Sequence, residues 1–129
     1  QLGKGTLMIA TYDDLRALAL SLNLPQITDT TAWGNPCLKA HGKMWCWWSP
    51  YVDAAVFICD KVEREMLLDA DPDTFAIHPH YLPHNLILAR AGHIDRDWAK
   101  ARLIRQWRDA APKRWLKAWD AENPIGPLR

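Results

Sequence analysis

The chain is poor in the features that mark disulfide-stapled, zinc-stabilised or membrane proteins. Its 129 residues include three cysteines, Cys37, Cys46 and Cys59, and no C-x-x-C pair. An odd count without that spacing predicts neither a disulfide framework nor a zinc knuckle, so we expect three reduced, half-buried thiols. No run approaches the roughly 18 apolar residues that cross a bilayer, and no secretory signal is recognisable. We therefore predict a cytoplasmic protein with no membrane partner.

Motifs for catalysis are also missing. The sequence has no glycine-rich phosphate loop and no G-x-S-x-G, which argues against nucleotide hydrolysis and hydrolase chemistry. Cys37 and His41 have the chemistry of a nucleophile and a base. On one strand, however, they would lie about 13 Å apart, too far for a hydrogen bond. We predict no catalytic residue, no cofactor and no enzyme activity.

Four histidines lie close together in sequence, His78, His80, His84 and His93. Imidazole is a good zinc ligand, but no cysteine or carboxylate stands at a local spacing that would complete a tetrahedral set. We predict a structured loop there and no metal.

The charge is small but uneven. The formal net charge is +1, and it divides into −4 over residues 1 to 89 and +5 over residues 90 to 129. A basic C-terminal third suits an anionic partner, although solvated, arginine-rich helix faces give the same asymmetry. Charge alone favours the solvated faces.

Tryptophan is unusually frequent, with eight residues in the chain. Three of them lie in the run His41 to Pro50, HGKMWCWWSP. Regular strand alternation places Met44, Cys46 and Trp48 on one face and Trp45, Trp47 and Ser49 on the other. Two interpretations stay open. The rings pack on both faces of a sheet, or Trp45 and Trp47 form a stacking surface for bases, flanked by Lys39 and Lys43.

The order of predicted elements is that of an α+β single domain, with one antiparallel sheet and helices packed on one face. Residues 1 to 7 are interpreted as a vector-derived leader, residues 8 to 122 as the domain and residues 123 to 129 as a tail. We predict helices from Thr11 to Leu22, from Asp60 to Ala70 with Val62, Met66, Leu67 and Ala70 facing inward, from Asp95 to Ala111 and from Lys113 to Asp120. We predict strands at residues 27 to 33, 37 to 40, 43 to 49, 54 to 60, 75 to 77 and 86 to 91, with a break at residues 34 to 36. In the third helix, Trp98, Arg102 and Arg105 are predicted to lie on the face opposite Ala99, Leu103 and Trp107.

Several ordered blocks resemble the MmcQ/YjbR family. They are T-T-A-W-G-N-P-C-L-K from Thr30, G-K-M-W from Gly42, D-K-x-E-R-E from Asp60, D-A-D-P-D-T-F from Asp69, the His80-Tyr81 pair and A-P-K-R from Ala111. The resemblance extends from about Thr11 to Ala121. It implies a frataxin/CyaY-like fold, with a curved antiparallel sheet backed by helices, and a proposed "double wing" for DNA binding. The first helix has only Asp13 and Asp14 beside Arg16, so it lacks the acidic ridge with which frataxin-type proteins hold iron.

From these patterns and this resemblance we predict a non-catalytic DNA-binding protein with a basic and aromatic surface. The candidate phosphate contacts are Lys39, Lys43, Arg102, Arg105, Lys113, Arg114 and Lys117. The alternative is a module that binds a small molecule or a protein in an aromatic pocket, whose candidate residues are Trp33, Trp45, Trp47, His80 and Tyr81. The oligomeric state stays open between a monomer and a weak dimer.

Overall fold

Two tight turns fold the segment around the tryptophan run into three antiparallel strands in the computed structural model, which describes residues 8 to 124. The strands are β2 (Ile27–Ala32), β3 (Asn35–Ala40) and β4 (Lys43–Trp48). The turns are Trp33–Gly34 and His41–Gly42, and all four turn residues have φ between 51° and 81°. Two-residue hairpin turns of type I′ require positive φ at both positions. The predicted leader and residues 125 to 129 of the predicted tail lie outside the described residues.

The break predicted at residues 34 to 36 is too long. Asn35 and Pro36 pair with Ala32 and Thr31 inside the β2–β3 ladder, so the turn is Trp33–Gly34. The predicted hairpin around His41–Gly42 is confirmed.

Three further strands complete a six-stranded sheet. They are β5 (Ala54–Ile58), β6 (Phe75–Ala76) and β7 (Leu86–Arg90), and the strand order is β2-β3-β4-β5-β7-β6 with every neighbouring pair antiparallel. Residues 54 to 57 of β5 are buried, as expected for a central strand that is apolar on both faces.

Four helices pack on one face of this sheet, which we call the helix face; the opposite face is the open face. They are α1 (Tyr12–Ser21), α2 (Lys61–Ala70), α3 (Arg96–Ala110) and α4 (Lys113–Glu122). The predicted caps are present: Thr11 and Asp14 form a capping box, and the Asp60 carboxylate accepts from the Glu63 backbone N–H. The α+β fold class is therefore confirmed. None of the described helices is long and apolar enough to span a bilayer.

A second, two-stranded sheet was not predicted. β1 (Met8–Ile9) pairs antiparallel with β8 (Ile94–Asp95), and Ile9 and Ile94 are fully buried. Two-residue strands are too short to show a period of two, so the sequence pattern carries no signal for them.

The inward stripe predicted for α2 is wrong at three positions, Val62, Met66 and Ala70, all of which are exposed. Val62 and Met66 are 75% and 64% exposed, whereas Arg64 is buried. The Arg64 guanidinium donates hydrogen bonds to the carbonyl oxygens of Leu82, His84 and Leu86 at 2.8 to 3.1 Å. An arginine thus takes the inward position because unpaired carbonyl groups face it.

The polar face predicted for α3 is also partly wrong. Ala99, Leu103 and Trp107 are buried as expected, but Arg102 is buried too. Trp98 packs its ring against Phe57 and Phe75, with ring centroids 5.0 Å apart in both pairs.

Candidate ligand-binding cleft

A cleft of about 350 Å³ opens on the open face, between the β2–β4 end of the sheet and the segment that follows β6. Its lining is largely aromatic. The lining residues are Ala32, Trp33, Asn35, Pro36, Cys37, Met44, Trp47, Trp48, Pro50, Tyr51, His80 and Tyr81. We call it the aromatic cleft.

The Trp33–Gly34 turn places an indole at the rim of the cleft. Trp33 is 90% exposed, more than any other large hydrophobic residue within residues 8 to 124. Its φ is 51°, a left-handed conformation that bulky side chains rarely adopt. The rim position is therefore set by a turn backbone that glycine or asparagine would fill with less strain.

An irregularity in β4 separates the three tryptophans of the run. The β3–β4 register shifts between Leu38 and Lys39, whose partners are Cys46 and Met44, so Trp45 is the extra residue of a β-bulge. Trp45 and Cys46 both join the core of the helix face, whereas Trp47 lines the aromatic cleft. The alternation predicted from the sequence is wrong because the bulge breaks the period of two.

Trp45 was predicted to line an aromatic pocket, but it does not line the aromatic cleft. It is 1% exposed, and its indole N–H donates to the Leu103 carbonyl oxygen at 2.8 Å. The Gln106 side chain donates back to the Trp45 carbonyl oxygen at 3.0 Å. These two bonds fasten β4 to α3, and they make Trp45 a structural residue.

Tyr81 forms the floor at the other side of the cleft. It packs with Val56 and Leu88 on the open face and is 5% exposed. Its hydroxyl donates to the Ser49 hydroxyl oxygen at 3.0 Å. Buried tyrosine hydroxyls need such a partner, so the bond holds the ring in one place.

Tyr51 is a cleft residue that the sequence analysis missed. Its ring stacks on His78 with centroids 5.1 Å apart and lies 4.5 Å from His80. His80 in turn meets Tyr81 edge to face at 5.0 Å. Tyr51 follows a proline in a turn and carries no periodic signal, so only the tertiary fold shows that it belongs to the cleft.

The cleft also contains a thiol. Cys37 lines it and is almost fully buried, and this burial raises the pKa of the Cys37 thiol. The thiol is therefore neutral at physiological pH, and a neutral thiol is a weak nucleophile.

Two of the predicted phosphate contacts are held in an ion-pair cluster on the helix face. Arg102 is 8% exposed and forms a bidentate ion pair with the Glu63 carboxylate, with hydrogen bonds of 2.6 and 3.2 Å. Arg105 lies 3.6 Å from the same carboxylate and 4.0 Å from Asp109. The hydrogen bonds from Arg102 lower the pKa of Glu63. Arg102 is a wrong choice for a phosphate contact because its guanidinium is buried and paired.

A family model described as YjbR matches residues 22 to 111. The chain belongs to the YjbR family. The matched segment contains every residue of the aromatic cleft, whereas α4 begins after it. No curated protein and no solved structure shows a significant match to the chain.

The remaining predicted phosphate contacts of this YjbR-family chain are spread over both faces. Lys39 lies on the open face, paired with Met44 of the cleft lining. Lys113, Arg114 and Lys117 are exposed on α4, which packs on the helix face, and they form no ion pair within residues 8 to 124. Lys43 lies beside the His41–Gly42 turn and pairs with Ala40, whose side chain is in the helix-face core. The cations predicted as phosphate contacts therefore do not form one surface with the aromatic residues.

Two histidines of the loop after β6, His78 and His80, are joined by a hydrogen bond. The His78 Nδ1 atom accepts from the His80 backbone N–H at 3.1 Å. Over residues 8 to 124, no group of three or more His, Cys, Asp or Glu side chains is arranged to hold a metal ion.

Proposed function

We propose that this YjbR-family chain is a non-catalytic DNA-binding protein that stacks an unpaired base in the aromatic cleft. The observation that carries the proposal is Trp33, an indole 90% exposed at the rim of a cleft lined by further aromatic rings. A hairpin tip that presents an aromatic ring agrees with the winged arrangement that the family resemblance implies.

The conformation of Trp33 supports a role outside folding. A bulky residue held at positive φ costs of order 1 to 3 kcal/mol, and exposing its ring to water gives up the gain from burial. Glycine or asparagine at this turn position would adopt the same backbone conformation with less strain. A contact with a binding partner would account for tryptophan there.

The size and chemistry of the cleft suit a planar ring system. Trp33, Trp47, Tyr51 and His80 present faces and edges to a volume of about 350 Å³. Stacking an unpaired base on such aromatics is worth about 1 to 3 kcal/mol. None of the described lining residues carries a carboxylate, so the cleft itself does not repel a phosphate backbone, and Lys39 beside Met44 supplies a positive charge.

Binding without chemistry is proposed because the one thiol of the cleft is a poor nucleophile. The raised pKa of Cys37 keeps it protonated, and catalysis by cysteine needs the thiolate.

A second candidate is a module that binds an uncharged planar ligand or an aromatic side chain of a partner protein. The small number of cations around the cleft favours this candidate. The basic residue next to the cleft is Lys39, which pairs in the sheet with the lining residue Met44. Salt separates the two candidates, since binding to a nucleic acid weakens steeply as salt rises and binding in an uncharged pocket does not.

The test is fluorescence anisotropy of one labelled DNA sequence, single-stranded and double-stranded, at low and physiological salt. The cleft variant is Trp33→Ala, and the control is Met66→Ala, which removes an exposed apolar side chain from α2 on the helix face. We expect single strands to bind more tightly than duplex, and Trp33→Ala to bind about tenfold more weakly, from the free energy of one stacked base.

Equal affinity of the two variants would refute the cleft as the binding site. If the triple variant Lys113→Ala/Arg114→Ala/Lys117→Ala then abolished binding, and duplex were preferred, α4 would be the surface instead. Absence of binding at low salt would refute DNA as the ligand and leave the uncharged planar ligand as the function to test.

A further inference from the structure

A second cleft lies beside the aromatic cleft on the open face. It has a volume of about 460 Å³ and is lined by parts of β5, β6 and β7 and by the turns next to them. Its polar lining differs from that of its neighbour, since it contains Asp53, His78, Arg90 and His93. We call it the basic cleft.

The two clefts share a wall. Tyr51 lines the aromatic cleft, and the next two residues of the same turn, Val52 and Asp53, line the basic cleft. The Tyr51 ring stacks on His78 across this boundary at 5.1 Å. From the ladder register, the Cα atoms of Trp47 and Arg90 lie about 12 Å apart, using a strand spacing of about 4.8 Å and a rise of about 3.3 Å per residue. Both side chains project from the open face, and the separation of their Cα atoms is of the size of a nucleotide.

The basic cleft has the donors that a phosphate group requires. Arg90 is exposed and forms no ion pair within residues 8 to 124, and its guanidinium has the planar fork that binds phosphate with two hydrogen bonds. His78 accepts a backbone N–H at Nδ1, so in the neutral ring the proton is on Nε2, which is then a donor. The lining also contains one carboxylate, that of Asp53, whose charge opposes that of a phosphate. It accepts a hydrogen bond from the Trp48 indole N–H at 2.9 Å, and Arg90 supplies the compensating positive charge.

We infer that the basic cleft binds the phosphate group next to the base that the aromatic cleft stacks, so that the open face as a whole recognises one nucleotide unit of a single strand. This inference rests on the proposed function, and it adds the phosphate subsite and Arg90 as its main contact. It also explains how a cleft with one flanking lysine gains affinity for an anionic chain.

The experiment compares Arg90→Gln with Lys100→Gln, which removes one positive charge from an exposed position of α3 on the helix face. The probes are a labelled single strand of about ten nucleotides, thymidine and thymidine 5′-monophosphate, titrated over a range of salt concentrations. We expect Arg90→Gln to weaken oligonucleotide binding about tenfold, to lower the slope of log K against log salt by about one, and to remove the preference for the monophosphate over the nucleoside. Lys100→Gln should change none of the three by more than about twofold.

The outcomes separate this inference from the proposed function. If Trp33→Ala weakens oligonucleotide binding while Arg90→Gln behaves like Lys100→Gln, the stacking site stands and the phosphate subsite is refuted. If no probe binds to the unaltered protein, both are refuted. If the monophosphate and the nucleoside bind equally to the unaltered protein, the phosphate subsite is refuted whatever the oligonucleotide does.

Discussion

Arg64 provides the sharpest test of the link between fold and site, because one buried side chain holds the loop that carries His80 and Tyr81. Its guanidinium donates to three carbonyl oxygens, those of Leu82, His84 and Leu86, just after these two cleft residues. Replacing Arg64 by alanine leaves three carbonyl groups without that donor and opens a cavity beside α2. We therefore expect both a loss of stability and a looser cleft.

The size of the loss follows from the hydrogen bonds. A hydrogen bond to a charged group contributes about 1.5 to 3 kcal/mol, and part of the sum over three bonds is offset by the cost of taking a guanidinium out of water. We expect Arg64→Ala to lower the free energy of unfolding by about 3 kcal/mol, a large part of the roughly 5 to 15 kcal/mol that holds a domain of this size. Arg64→Lys should recover less than half of the loss, since an ammonium group cannot reach three carbonyl groups with the same planar fork.

Urea denaturation followed by tryptophan fluorescence measures the loss, with Lys61→Ala, an exposed lysine of the same helix, as the control. The slope of the transition should stay unchanged if the native state stays compact. A loss below about 1 kcal/mol for Arg64→Ala would refute the reasoning, because it would mean that water satisfies the three carbonyl groups equally well. Oligonucleotide affinity of the folded variant should also fall, since the loop wall of the aromatic cleft is no longer held.

Three other predictions rest on individual contacts. Trp45→Phe should cost about 1 to 3 kcal/mol in urea denaturation, because the Leu103 carbonyl oxygen loses its buried donor; a loss near zero would contradict the structural role of Trp45. The hydrogen bonds from Arg102 hold the pKa of Glu63 below its ordinary value of 4.5, so the stability that Glu63 contributes should be complete above about pH 5 and be lost as pH falls through its lowered pKa. Glu63→Gln should therefore flatten the acid limb of a plot of stability against pH, and an unchanged limb would contradict the pairing. Burial raises the pKa of Cys46 to about 12, so a thiol reagent at pH 8 should label Cys46 at least about tenfold more slowly in the native protein than in urea; equal rates would contradict its burial.

What could be predicted from the sequence was set mostly by local chemistry. Thr11 and Asp60 are short polar side chains immediately before apolar helical patterns, and a cap needs only the next three residues to form its hydrogen bond. The His41–Gly42 hairpin is also local, since the turn and its flanking strands are contiguous. The order of the elements, the antiparallel sheet and the position of the helices followed from such signals together with the family resemblance.

What could not be predicted depends on contacts between distant segments. A helical wheel treats arginine as exposed, so Arg64 was left out of the predicted inward stripe and Arg102 was placed on the polar face. Their partners are 18 to 22 and 39 residues away in sequence. The bulge at Trp45 is invisible to a pattern of period two, because alternation is the assumption that a bulge violates. Four of the five predicted pocket residues do line one cleft, while the fifth, Trp45, was assigned to it by that same assumption.

The exposed cations of α4 and the aromatic cleft lie on opposite faces of the sheet, which limits what the domain can bind at one time. A duplex laid against the exposed cations of α4 would contact the helix face and leave the aromatic cleft unused, since the six-stranded sheet lies between them. The bases of a duplex are stacked and paired, so a ring-sized cleft admits one only after it is unstacked, which costs a few kcal/mol. A single strand has no such cost, and its bases have free faces for stacking. The aromatic cleft lies inside the segment that matches the family, whereas α4 lies beyond it, and this supports our proposal that the ligand is a single strand on the open face.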